Sequence, residues 1–143
     1  MICRTRPMRA WAVSLLTWGM VVLVPGVAFG QDTPLLLEPD RDGVQRATLI
    51  LDSYAFTPNR LSLQSGVPVE LRLENRSWLT PHNFIIDSPL PDIRHNVNVS
   101  AGEIVILQFL PETPGTYVFY CDKQLLFFPS HREEGMEGHL EVR

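Results

Sequence analysis

From Arg46 onward the chain is cut into short apolar stretches, most of them alternating with period two, and each is closed by turn residues. Ala47-Thr48-Leu49-Ile50-Leu51 stops at Asp52-Ser53, Arg60-Leu61-Ser62-Leu63-Gln64 at Ser65-Gly66, and Val67 to Leu73 at Glu74-Asn75. Phe84-Ile85-Ile86, Glu103 to Leu110, Thr116 to Cys121 and Gly138 to Arg143 follow, with Pro89, Pro91 and Pro111 among the breaks. Alternation by two sends successive side chains to opposite faces of an extended strand. Runs of this kind at intervals of 8 to 15 residues indicate an all-β fold, a Greek-key sandwich or barrel. No window after residue 30 reads as a long helix, and no internal repeat or low-complexity tract interrupts the pattern.

The first 30 residues follow a different rule. Arg4, Arg6 and Arg9 precede an apolar run from Ala10 to Val24, broken by Pro25-Gly26 and followed by Ala28-Phe29-Gly30. A basic start, a short apolar run and a small-x-small site read as a secretory signal peptide over 1–30. The run is shorter than the roughly 20 apolar residues a membrane span needs, so no span is expected after cleavage. Removing 30 of 143 residues leaves 113, enough for one domain with its own core. Residues 31–45, with two prolines and no sustained periodicity, read as a linker or loose arm, and 46–143 as the folded domain.

All 16 acidic residues lie after residue 30, against nine Lys and Arg, so the mature chain is an acidic protein of charge near −7. That excludes nucleic acid as an expected partner, since no basic patch is present to displace counterions. Cys3 leaves with the signal, so Cys121 has no cysteine to pair with. A lone thiol in an exported, oxidising setting calls for a role. It ends the stretch Gly115-Thr116-Tyr117-Val118-Phe119-Tyr120-Cys121, where Tyr117, Phe119 and Cys121 share a face, and it is followed by Cys-x9-His131-x4-Met136. Thiolate and thioether are soft ligands that favour Cu(I), and imidazole binds both copper states. His82, in Pro81-His82-Asn83-Phe84 at the start of a strand, is the best-placed second imidazole.

These pieces, in this order, resemble the cupredoxins, the plastocyanin and azurin group of small blue-copper proteins. The resemblance runs from about Ala47 to Val142. It includes Phe56-Thr57-Pro58, Leu61-x-Leu63-x-x-Gly66, Val69-x-Leu71-x-Leu73-x-Asn75, Pro81-His82-Asn83-Phe84, Gly115-Thr116-Tyr117-x-Phe119-x-Cys121 and Gly135-Met136-x-Gly138-x-Leu140-x-Val142. It implies one copper per chain, held by His82, Cys121, His131 and an axial Met136. It also implies a supporting role for Asn83, hydrogen-bonding the cysteine sulfur and the neighbouring loop. The chain departs from the family in one respect. Nine residues separate Cys121 from His131, where members usually have two to four. Lengthening that loop costs only about 1 kcal/mol in closure entropy; its geometry is the larger question.

The implied function is a periplasmic or otherwise exported monomer that carries one electron at a time between redox partners such as a cytochrome or another copper protein. The alternatives are a copper carrier or resistance protein using the same ligands, and a metal-free interaction module. An enzyme is not expected from one such domain with four histidines. His139 is read as solvent-facing and His95 as part of a surface turn. Leu125-Leu126-Phe127-Phe128-Pro129 admits two readings: a small covering core over the site, or an exposed docking patch rimmed by Lys123, Arg132, Glu133 and Glu134.

Overall fold

The computed structural model describes residues 33–143. The expected signal peptide, 1–30, lies outside them. The alternating stretches become ten strands in two sheets. One sheet holds β1 (Leu35–Leu36), β4 (Arg60–Leu63), β10 (Glu137–Val142), β9 (Gly115–Tyr120), β6 (His82–Ile86) and β7 (His95–Val99), side by side in that order. The other holds β3 (Ala55–Thr57), β2 (Gln45–Asp52), β5 (Val69–Asn75) and β8 (Ile104–Phe109). In chain order the sheet changes at β2, β4, β5, β6, β8 and β9. This Greek-key exchange makes an all-β sandwich. No described helix is long and apolar enough to cross a membrane.

Period two decides what lies between the sheets. Leu49 and Leu51 of β2, Val69, Leu71 and Leu73 of β5, Leu61 and Leu63 of β4, and Leu140 and Val142 of β10 are all buried. Phe56, Phe84 and Phe119 knit the two sheets together edge to face or stacked, with ring centroids 5.1–6.1 Å apart. Strand β6 is buried along its whole length. It lies between β7 and β9, with Ile85 opposite Tyr120 and His82 opposite Val99. The first residue of β6 and the residue after β9 therefore emerge together at one end of the sandwich.

Two expectations change here. The arm at 31–45 is not loose where it is described: Leu35 and Leu36 pair in parallel with Leu61 and Ser62, and Leu37 joins the core. Pro34 and Pro39 hide the pairing because it covers only two residues, too few for a period to show. His95 sits within β7 opposite Ile86, not in a turn, with its ring 4.7 Å from that of Phe109.

Gly138, opposite Phe119 in β10, shows how tightly the sheet is packed beneath the site. A Cβ there would run into the Phe119 ring and the Asn59 carbonyl. Gly138→Ala is therefore expected to lower stability by about 1–3 kcal/mol, the usual cost of overpacking. A urea midpoint equal to wild type would contradict this packing.

Candidate metal centre

Three buried donors converge where β6 begins and β9 ends. His82 Nδ1 lies 3.1 Å from His131 Nδ1 and 3.8 Å from Cys121 Sγ, and Cys121 Sγ lies 3.4 Å from His131 Nδ1. They form the group of His, Cys and acidic residues among the described positions that is close enough to share an ion. The circle through the three atoms has a radius of about 2.0 Å, within the roughly 2.0–2.3 Å bonds that imidazole and thiolate make to a first-row metal ion. A point in their plane is thus at bonding distance from all three. One soft sulfur and two imidazoles form the donor set of trigonal copper.

The strands place two of the donors, and a closed turn places the third. Cys121 donates its N–H to the Met136 carbonyl at 3.1 Å. His131 donates to the Lys123 carbonyl at 2.8 Å, and Met136 to the His131 carbonyl at 2.9 Å. The Lys123–His131 bond answers the question of the long loop. It brings His131 back beside the cysteine, so that residues 124–130 form an outward excursion that leaves His131 in place. Ser130 and Glu133 then start a helical turn by capping one another. The Glu133 carboxylate accepts from the Ser130 N–H at 2.7 Å and its hydroxyl at 2.8 Å, and Ser130 Oγ accepts from the Glu133 N–H at 3.3 Å. This Ser-x-x-Glu box is legible in the sequence and is what aims His131. Fully buried Met136 is tied through its backbone to both Cys121 and His131.

Asn83 contacts both the cysteine sulfur and the residue that follows it, through different groups. Its backbone N–H donates to Cys121 Sγ at 3.3 Å, while its side chain exchanges two bonds with Asp122, at 2.7 and 3.1 Å. Tyr54 was not anticipated. Its ring stands edge-on to His131, 4.9 Å between centroids, held by a β2–β3 turn in which both Ser53 (φ 50°) and Tyr54 (φ 59°) are left-handed. Such a turn favours Asn-Gly, so nothing in Ser-Tyr announces it. His139 sits opposite Val118, half-buried on the face of β10 away from Leu140 and Val142.

Burial sets the electrostatics. It pushes His82 down from 6.5 to about 4, helped by His131 and opposed by Asp52. Burial likewise lowers His131, with Lys123 adding to the effect. The Cys121 thiol is pushed up by burial, against the N–H bonds from Asn83 and Lys123. Both imidazoles are thereby kept neutral with lone pairs available, and the sulfur remains a poorly ionised thiol until a cation stabilises the thiolate.

The covering-core reading of the loop tip does not hold. Leu125, Leu126, Phe127 and Phe128 are 66, 77, 85 and 53% exposed, and Phe127 stacks only on Phe128. Trp78 and Leu79, 89 and 72% exposed, project from the β5–β6 loop. Tyr54 lines the clefts beside both segments, so they flank the same end of the sandwich.

Residues 20–136 match the model of the cupredoxin-like domain family. The chain belongs to that family. This cupredoxin-like domain is similar to the metal-binding domain of the Cu(I)-exporting P-type ATPase CopA of Streptococcus pneumoniae D39. The identity is 14% over 78% of this chain and 96% of that one, with a TM-score of 0.60. It is also similar to auracyanin A, a blue copper protein of Chloroflexus aurantiacus, at 22% identity over 71% of this chain and all of that one, with a TM-score of 0.55. A multicopper oxidase from Campylobacter jejuni shares the fold at 17% identity and a TM-score of 0.57, but this chain covers 28% of it. No curated protein sequence matches the chain.

Between pH 6.5 and about 4, folded His82 binds fewer protons than it does in the unfolded chain. Stability of the metal-free protein therefore falls as pH drops through that window. The denaturant midpoint, measured at stepped pH, is expected to decline there and to decline less steeply in His82→Asn. A midpoint flat across the window would contradict the burial argument.

Proposed function

We propose that the protein binds one copper ion through His82, Cys121 and His131, with Met136 as a longer axial contact, and works as an exported one-electron carrier. The observation that carries this reading is the donor triangle, whose three atoms surround a point about 2.0 Å from each. Copper, when bound, supplies the Cu(I)/Cu(II) couple. The chain's own residues keep the donors in place through both states. Cys121 and His131 are joined to Met136 and Lys123 by backbone bonds, and Asn83 fixes the sulfur with its N–H. Donors held by a sheet and a capped turn move little when the charge changes, which favours fast transfer.

The exposed ring of Tyr54, Trp78, Leu79 and Leu125–Phe128 supports docking of a redox protein at this end, where apolar surface rimmed by charge marks an interaction site. Lys123, bonded to Asn98, and Arg132, stacked on Tyr120, add positive charge to the same Cys121–Met136 segment. A copper carrier is the second reading, favoured by the similarity to the metal-binding domain of a Cu(I) exporter.

Cu(II) added to purified protein is expected to give an intense sulfur-to-copper absorption band and a reversible one-electron wave in voltammetry. Cys121→Ser is expected to abolish the band. No band in the wild type would sink the copper–thiolate reading. A band without a reversible wave, together with rapid Cu(I) handover to a chelator, would replace electron transfer by transport.

A further inference from the structure

We infer that Ser77 and Asp52 are positioning residues for His82, forming a polar line from its Nε2 to a surface carboxylate that decides which ring nitrogen carries the proton, and so whether the Nδ1 facing the metal position has a free lone pair. The inference rests on the reading of His82 as a ligand. Ser77 Oγ lies 2.9 Å from His82 Nε2 and 3.4 Å from Asp52 Oδ1. Ser77 is in the β5–β6 loop and Asp52 ends β2, so the two come from neighbouring strands of the second sheet, while His82 opens β6 in the first.

Both ends of the line are held. Buried Asn75 anchors the loop: its side-chain oxygen accepts from the Ser77 N–H at 2.9 Å, and its amide donates to the carbonyls of Thr80 at 2.9 Å and Val99 at 3.0 Å. Arg76 donates its N–H to the Leu51 carbonyl at 3.1 Å, tying the loop to the strand that carries Asp52. Ser53 Oγ donates to the same Asp52 oxygen at 3.2 Å.

A serine hydroxyl has one proton to give and two neighbours that can take it. Pointed at Asp52, the hydroxyl leaves Oγ free to accept, and His82 carries its proton on Nε2. The Nδ1 lone pair then faces Cys121 Sγ and His131 Nδ1. Pointed at His82, the hydroxyl forces the ring proton onto Nδ1, into the middle of the donor triangle, where it blocks a metal. The 3.4 Å leg is long for a hydroxyl–carboxylate bond, so Asp52 acts chiefly through the field of its charge on the O–H dipole. That field selects the first arrangement. It also raises the donor strength of Nδ1, as carboxylates behind metal-bound imidazoles do, which favours the more highly charged copper state.

The test uses Ser77→Ala, Ser77→Thr and Asp52→Asn in the full chain, with two readouts. In the metal-free proteins, imidazole 15N NMR is expected to show wild-type and Ser77→Thr His82 protonated on Nε2, with Nδ1–H appearing in Ser77→Ala and Asp52→Asn. In titrations with copper alone, Ser77→Ala is expected to bind Cu(II) about 10–100-fold more weakly than wild type and Ser77→Thr to restore affinity. Each tenfold loss specific to Cu(II) raises the potential by about 59 mV. Wild-type His82 protonated on Nδ1, or Ser77→Ala with an unchanged tautomer, affinity and potential, would overturn the inference. A wild type that binds no copper would remove the ligand reading, while the tautomers would still decide whether Ser77 and Asp52 set the ring.

Discussion

The pairing of β6 with β9 is the constraint on which the site depends. It is sealed at its open end by Asn83, whose backbone reaches the Cys121 sulfur and whose side chain exchanges two bonds with Asp122. Those bonds hold the start of one strand against the end of the other. Ile85 opposite Tyr120 sets the register, which carries Asn83 up against Asp122 and leaves His82 and Cys121 beside that pair at one end of the sandwich. A one-residue slip would turn each side chain to the other face and separate the donors.

Much of this architecture is legible in the chain because burial imposes period two. Leu49, Leu51, Leu71, Leu73, Phe119 and Leu140 alternate as the sandwich requires, and all are buried. Short or doubly buried elements escape that logic. β1 is too brief to show a period, and His95 was misread because the polar residues around it conceal a strand whose inner face meets Phe109. The three donors were identifiable by residue type and order. Their convergence was not, since the nine-residue loop is short-circuited by a backbone bond from His131 to Lys123, which no side-chain pattern encodes. Tyr54 and Ser77 reach the site from turns of the other sheet, and contacts of that kind follow from topology.

The centre places stability and function in opposition. Three polar side chains are packed at one end of an apolar core, two of them imidazoles with their Nδ1 atoms 3.1 Å apart. Burial disfavours a second, charging proton on either ring and a charge on the sulfur. A metal ion relieves that situation, because it supplies the positive charge that neutral imidazoles and a desolvated thiol lack. The leucines and phenylalanines below the site offset the cost, and the capped turn and the Asn83 clamp confine it to one place.

X-ray absorption at the copper edge of the loaded protein tests the central claim most directly. The account predicts one copper per chain, with a short sulfur scatterer and two imidazole nitrogens, the sulfur signal being lost in Cys121→Ser. Copper surrounded by nitrogen and oxygen alone, or a sulfur signal that survives that substitution unchanged, would contradict it.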